Sequence, residues 1–284
     1  MAFTFFIDDQ DTVTGVDIVP EWPLPPDPAA GLPVGTAFRL PMNGVWFIST
    51  GGPRHYANHH AADPWSRHAY DLGVWSERGE GVPALAENAD FWAWEQPIFA
   101  PAAGTVIRTD NDVPDNQLGV VDTSSSGNYI ILQTAPQEFV LMGHLRQGSV
   151  AVTVGEQVQT GQFLARVGNS GFSTGPHLHM QLTNRDPFVY YPDTISLPFR
   201  FKNLLVNGKL VANPSPVKGD FVQHAGCPTP VPAEYAQPPQ RDRPNRQMRG
   251  SRERPMVTAR SAEAFRSPAA MPEDGPPPSP WGTR

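Results

Sequence analysis

The chain has 284 residues, of which 39% are hydrophobic and 17% charged, so most of it can fold around a core. Its 25 glycines and 33 prolines disfavour a helical bundle and suit short strands joined by turns. The net charge of −7 argues against nucleic-acid binding, and no apolar run approaches the roughly 20 residues that span a bilayer. The single cysteine, Cys227, excludes an intramolecular disulfide, so packing or metal must provide stability.

The N-terminal residues 1–37 are predicted to form a strand and a Pro-rich linker. The first segment, MAFTFFIDDQD, lacks a basic region and a long apolar stretch, so it does not have the pattern of a Sec signal peptide. Residues 20–33 (PEWPLPPDPAAGLP) have the composition of an extended linker. The main domain is therefore predicted over residues 38–227.

Within that domain the sequence predicts a mainly β fold. Segments rich in β-branched and aromatic residues are bounded by Gly, Pro, Asn or Asp, as strands are. None of the domain shows an amphipathic helix of three turns. The predicted strands are residues 44–50, 69–75, 105–109, 128–134 and 139–145.

Residues 154–168 (VGEQVQTGQFLARVG) have apolar positions separated by turns at Gly155 and Gly161. This pattern favours tightly turned strands in a compact barrel or sandwich. A lipoyl-type or phosphotransfer-like carrier is an alternative interpretation of such a segment. A lipoyl carrier needs a lysine at the hairpin tip, and the segment contains none.

The C-terminal residues 228–284 are predicted to be a disordered Pro/Arg-rich tail. They hold 13 of the prolines and nine arginines against six acidic residues, a net charge of +3, and they show no hydrophobic periodicity. All eight histidines precede them. An electrostatic tether to an anionic polymer is the functional alternative for this tail.

Two histidine motifs carry chemistry in the second half of the domain. In residues 168–179 (GNSGFSTGPHLH), His177 and His179 are two apart, so on a strand both imidazoles project from one face. Two imidazoles beside a Gly-rich turn suit a metal site, although a polar surface pair is the plainer interpretation. His144, in MGHL, lies at a predicted strand end and alone indicates no more than a hydrogen-bonded or exposed histidine.

Residues 54–71 (RHYANHHAADPWSRHAYD) hold four histidines and Asp71. Asp71 lies in an apolar context, AYDLGVW, where an ionised carboxylate needs a partner. Zinc is such a partner, with carboxylate oxygen and imidazole nitrogen as donors; a salt bridge to arginine is the alternative.

Together these segments resemble the lysostaphin/LytM-type zinc metallopeptidases, a family of peptidoglycan endopeptidases. The resemblance spans roughly residues 44–183, with support from IFAPAAGTV at 98–106 and GNYIIL at 127–132. It implies an antiparallel β-sheet or barrel-sandwich core of the duplicated hybrid-motif type, with an open groove. It also implies that Asp71 and His179 are zinc ligands and that His144 and His177 are the catalytic pair.

The remaining zinc ligand departs from the commonest family pattern, which has histidine four residues before the aspartate, where this chain has Arg67. A subgroup instead supplies this histidine from an N-x-H loop about eleven residues earlier, which corresponds to His60. His68 is an alternative that needs a bulge, because its odd offset from the aspartate points it to the opposite face. His59 and His55 are further alternatives.

The resemblance implies a zinc-dependent metalloendopeptidase that cuts peptide bonds in peptidoglycan cross-links or stem peptides, and hence a role in the cell envelope or outside the cell. There is no HExxH motif, so histidine must replace the usual glutamate base. A non-catalytic, wall-binding regulator of another hydrolase is the alternative function. Degenerate relatives of that type lose ligands, whereas every expected position is filled in this chain.

Overall fold

The structure is a computed structural model, and it describes residues 2–7, 13–19, 23–32, 34–54, 57–73, 87–226 and 229–231. Fourteen strands occur in these residues, with two short 3-10 helices at His59–Ala62 and Asn88–Asp90. The first seven strands are β1 (Ala2–Ile7), β2 (Val13–Val19), β3 (Val45–Thr50), β4 (Tyr70–Gly73), β5 (Pro97–Phe99), β6 (Gly104–Asp110) and β7 (Asn128–Ala135). The remaining seven are β8 (Glu138–Leu145), β9 (Gln157–Val158), β10 (Phe163–Arg166), β11 (Leu178–Thr183), β12 (Leu204–Val206), β13 (Lys209–Val211) and β14 (Phe221–His224).

Ten of these strands form one antiparallel sheet in the order β13-β12-β14-β3-β4-β11-β8-β7-β6-β9. The sheet is open, with β13 and β9 at its edges, and β5 pairs with β10 in a separate two-stranded sheet. Strands β4, β11 and β8 are adjacent at its centre, and they carry Asp71, His179 and His144. The topology therefore brings together residues that are far apart in the sequence.

Strand β11 shows how the sheet separates its core from its polar face. Leu178, Met180 and Leu182 belong to the hydrophobic core, with Leu72 of β4 and Met142 of β8. Side chains alternate along a strand, so the odd-numbered residues of β11 project from the opposite face. Those residues are His179, Gln181 and Thr183, and all three are buried.

The predicted mainly β fold is confirmed, and each predicted strand coincides with an observed one. The segment 154–168 contains β9 and β10, and its turn residues Gly155 and Gly161 have φ of 92° and 85°. Positive φ is disfavoured for residues that carry a Cβ, so glycine suits both turns. The predicted end of the second strand, residues 74–75, lies outside the described residues.

The N-terminal region has two paired antiparallel strands, β1 and β2, where the sequence predicts one. The described residues all belong to one compact unit, and residues 232–284 lie outside the described residues. The proposed tail 228–284 is described only at 229–231, so its predicted disorder stays a prediction. Among the described residues, no helix has the length and apolar character needed to cross a membrane.

Candidate metal centre

Asp71 and His179 meet because β4 and β11 are hydrogen-bonded neighbours. The two residues are register partners, and residues directly opposite each other in an antiparallel pair project from the same face. His179 Nδ1 lies 2.9 Å from Asp71 Oδ1. The fold thus places one imidazole and one carboxylate together on the polar face of the sheet.

His60 reaches the same carboxylate from a loop rather than from the sheet. It lies in the 3-10 helix His59–Ala62, whose N-cap Asn58 accepts a hydrogen bond from the His60 backbone N–H. The Asn58 amide also donates to the carbonyl oxygens of Gly52 and Arg67, at 3.0 and 2.8 Å. Asn58 is 1% exposed, so this buried asparagine fixes the loop that presents His60.

Four imidazoles surround the Asp71 carboxylate, two on each oxygen. His60 Nε2 lies 3.1 Å and His59 Nε2 3.7 Å from Oδ2. His179 Nδ1 lies 2.9 Å and His177 Nε2 3.7 Å from Oδ1. Burial alone would raise the pKa of Asp71, but His60, His179 and His177 together hold it well below its usual value.

This donor set fits a zinc ion, because zinc takes imidazole nitrogen and carboxylate oxygen. Donor atoms of His59, His60 and Asp71 lie within 4.8 Å of one another. The side chain of His59 is 68% exposed, whereas that of His60 is 16% exposed. His60 is therefore the better enclosed of the two neighbouring histidines, and His179 approaches the other carboxylate oxygen.

The other predicted alternatives are not brought to this cluster. His68 Nε2 lies 3.1 Å from Asp27 Oδ2, so this histidine pairs with the N-terminal linker. His55 lies outside the described residues. Among the described residues, Asp71 forms ion pairs with histidines and with no arginine.

His144 reaches the cluster through an unusual backbone conformation. His179 pairs with Gly143, so a regular strand would turn residue 144 to the opposite face. His144 instead has a φ of 60°, in the left-handed region that residues other than glycine seldom adopt. Its ring centroid lies 4.8 Å from that of His177 and 5.7 Å from that of His179.

Backbone carbonyl groups fix the tautomers of His144 and His177. His144 Nδ1 lies 2.9 Å from the Ser170 carbonyl oxygen, and His177 Nδ1 lies 2.8 Å from that of Gly175. A carbonyl oxygen only accepts, so both Nδ1 atoms must carry a proton. In the neutral rings, Nε2 is then the nitrogen that can accept a proton.

Both rings are held in the neutral state by their surroundings. Burial, followed by the neighbouring His177 and His179, lowers the pKa of His144 well below its usual value. Burial also lowers the pKa of His177, and the Asp71 carboxylate offsets only part of this effect. Two neutral imidazoles, each with an unprotonated Nε2, therefore adjoin the carboxylate cluster.

A buried hydrogen-bond network, which sequence reasoning missed, supports the His144 backbone. The side chain of Asn128 accepts from the Val113 N–H and donates to the Val113 and Leu145 carbonyl oxygens. The Ser170 hydroxyl also donates to the Leu145 carbonyl oxygen, at 2.7 Å. A polar residue opening the apolar strand GNYIIL was the available sequence signal for this network.

Residues 89–189 match the family described as Peptidase family M23. The matched region contains His144, His177 and His179. His60 and Asp71 precede it in the sequence, and the fold brings them next to these histidines. The resemblance to lysostaphin/LytM-type metallopeptidases is thereby confirmed.

Individual relatives share shorter regions. The chain is 31% identical over 102 residues to an uncharacterized metalloprotease of Haemophilus influenzae. This matched region is 36% of this chain and 19% of that protein. It is 34% identical over 89 residues to the peptidoglycan DD-endopeptidase ShyA of Vibrio cholerae. This second matched region is 31% of this chain and 18% of that protein. The chain thus spans less than a fifth of these curated relatives. A zinc-containing peptidase from Vibrio cholerae of known structure is 18% identical, with a TM-score of 0.30, over 52% of this chain and 36% of that one.

Proposed function

Because residues 89–189 match Peptidase family M23, we propose that this chain is a zinc-dependent metalloendopeptidase. The observation that carries the proposal is the buried Asp71 carboxylate with His60 on one oxygen and His179 on the other. A buried carboxylate needs a compensating positive charge, and its position between imidazole nitrogens supports a cation site here. His60, Asp71 and His179 would hold the zinc.

Zinc with three protein ligands keeps an open position, polarises a carbonyl group and lowers the pKa of water toward about 7. The chain must supply the proton transfers, because it has no HExxH glutamate. His177 Nε2 lies 3.7 Å from Asp71 Oδ1, a distance that supports its role as a proton acceptor beside the proposed ligands. His144 lies next to it, with a ring-centroid separation of 4.8 Å.

We assign the two acid–base duties to this pair of imidazoles. One Nε2 accepts a proton from the attacking water and, now protonated, stabilises the oxyanion or donates that proton to the leaving amine, while the other Nε2 accepts a hydrogen bond that orients the water. The carbonyl groups of Ser170 and Gly175 keep each Nδ1–H oriented, so each ring exchanges protons only through Nε2. The depressed pKa values of His144 and His177 suit the accepting role, since a base must be neutral before it acts.

The proposed substrate is peptidoglycan, at its peptide cross-links or stem peptides. Support comes from the name of the Vibrio cholerae relative, a peptidoglycan DD-endopeptidase that is 34% identical over 89 residues. His177, which directly precedes β11, has a side chain that is 20% exposed, so the cluster is partly accessible from that side. An extended peptide could approach the cluster from that side.

The test is hydrolysis of purified cell walls by the full chain, followed by chromatography of the soluble products and detection of newly exposed amino groups. We expect product release that stops with a chelator and returns when zinc is added. The matched control is the His177→Ala variant, loaded with the same amount of zinc. A zinc-loaded wild-type chain that binds walls but exposes no new amino groups would instead support the non-catalytic regulator.

A further inference from the structure

Gln181 lies two residues after His179 on β11 and is fully buried. Its side-chain amide lies between the proposed ligand and the loop that precedes β4. Gln181 Oε1 is 2.8 Å from His179 Nε2, and Gln181 Nε2 is 3.3 Å from the Trp65 carbonyl oxygen. This amide thus contacts the side of the His179 ring that faces away from Asp71.

The chemistry of these contacts fixes the orientation of the Gln181 amide and the tautomer of the His179 imidazole. The Trp65 carbonyl oxygen can only accept, so the amide must present its NH2 group to Trp65 and its oxygen to His179. The amide oxygen also only accepts, so His179 Nε2 must carry a proton. In a neutral His179 ring the lone pair is then on Nδ1, the nitrogen 2.9 Å from Asp71 Oδ1.

We propose that Gln181 is a positioning residue that holds His179 in the tautomer that binds zinc through Nδ1. The inference rests on the proposed zinc site and adds a residue that does not itself touch the metal. Hydrogen bonds from a ligand imidazole to a neighbouring acceptor orient the ring and raise its basicity. Gln181 supplies that acceptor from within the same strand.

The same amide connects the two parts of the ligand set. Trp65 belongs to the loop that follows the His60 helix, whereas His179 belongs to the sheet. The Gln181 side chain therefore bridges the strand that carries His179 and the loop that follows His60. Both hydrogen bonds are buried, so water cannot readily replace either of them.

The experiment measures zinc affinity of the full chain by competition with a chelator. Gln181→Met keeps the side-chain length but removes the amide, and we expect it to bind zinc about 10–100-fold more weakly. Gln181→Glu keeps an acceptor for His179 but cannot donate to Trp65, so we expect it to recover most of that loss. The matched control is Thr183→Val, on the same face of β11, whose single hydroxyl proton is shared between the Arg185 and Phe139 carbonyl oxygens, at 2.8 and 3.2 Å. Its zinc affinity should be unchanged.

A second measurement does not depend on any variant. Nitrogen NMR of the zinc-loaded wild-type chain should show the His179 proton on Nε2; a proton on Nδ1 would overturn the proposal even if Gln181→Met fails to fold. Wild-type zinc affinity in a folded Gln181→Met variant would overturn this inference alone. A wild-type chain that takes up no zinc would overturn the proposed function as well.

Discussion

Asp71 and His179 are 108 residues apart in the sequence, yet they are direct register partners on β4 and β11, with 2.9 Å between Asp71 Oδ1 and His179 Nδ1. Register in a sheet is strongly specified where one face is buried, because a slip of one residue would expose the core side chains. The apolar alternation of Leu178, Met180 and Leu182 therefore also fixes the position of His179 opposite Asp71. Packing of the core and assembly of the proposed site depend on the same strand pairing.

The first prediction concerns the metal. We expect one zinc per chain, and we expect His60→Ala, Asp71→Ala and His179→Ala each to lose most of their zinc affinity, because each removes one of three protein donors. Elemental analysis after dialysis measures the zinc content. His68→Ala is the matched control, since this histidine pairs with Asp27 instead of Asp71. Stoichiometric zinc in both Asp71→Ala and His179→Ala would show that the metal site lies elsewhere.

The second prediction separates two adjacent histidines. His59 and His60 both approach Asp71 Oδ2, but His60 is closer, at 3.1 Å against 3.7 Å, and less exposed. His59→Ala should therefore keep zinc affinity within a few-fold of wild type, whereas His60→Ala should not. Chelator competition on the two variants, purified in parallel, decides between them. The reverse result would make His59 the first ligand.

The third prediction separates ligands from catalysts. His144→Ala and His177→Ala should fold and keep zinc but lose hydrolysis by about 10²-fold or more, the usual scale for a positioned acid or base. Turnover is measured at equal zinc content for each variant. His224→Ala, on β14, removes a histidine that accepts from the Gly226 N–H and should leave turnover unchanged. Near-normal turnover in either of the first two variants would refute the role assigned to that residue.

The fourth prediction concerns the network behind His144. Asn128→Ala removes both hydrogen bonds to Val113 and one to the Leu145 carbonyl oxygen, all from a fully buried side chain. Leaving buried polar groups unpaired should lower the free energy of unfolding by about 1–3 kcal/mol. Urea denaturation measures this change, with the exposed Ser124→Ala as a control that we expect to cost less than about 0.5 kcal/mol. An unchanged unfolding midpoint in Asn128→Ala would show that the network adds no stability.

Local patterns in the sequence predict much of this molecule. Apolar alternation and turn residues locate β3, β6, β7 and β8, because those signals depend on neighbouring residues. The HxH spacing predicts that His177 and His179 share a face, and both histidines approach Asp71 Oδ1. The N-x-H pattern likewise predicts a loop histidine at His60, where Asn58 forms the N-cap.

The rest depends on contacts between distant residues. No local pattern predicts the positive φ of His144. Its backbone carbonyl oxygen accepts a hydrogen bond from the Gly168 N–H, a contact between residues far apart in the sequence. Gln181 appears in the sequence as an ordinary polar residue in a strand, and only the structure shows its amide between His179 and Trp65. The strands β12, β13 and β14 were also not predicted, since two of them have only three residues each.

The last prediction concerns the C-terminal residues. The sequence places the domain end at Cys227, but Thr229 exchanges two hydrogen bonds with the Asn43 side chain, of 2.9 and 2.7 Å. A chain ending after Val231 keeps these bonds, and we expect it to fold, bind zinc and cleave a soluble peptide at the wild-type rate. A chain ending at residue 227 should be less stable by about 1 kcal/mol for each lost bond.

Residues 232–284 carry the nine arginines and six acidic residues of the tail, so they could add weak attraction to an anionic wall. Salt screens such attraction, so full-length and shortened chains should differ on whole walls at low salt and converge at high salt. Comparing both chains on a soluble peptide and on walls at the two salt concentrations separates catalysis from attachment. A loss of activity on the soluble peptide after truncation at residue 231 would mean that the segment contributes to the catalytic domain itself.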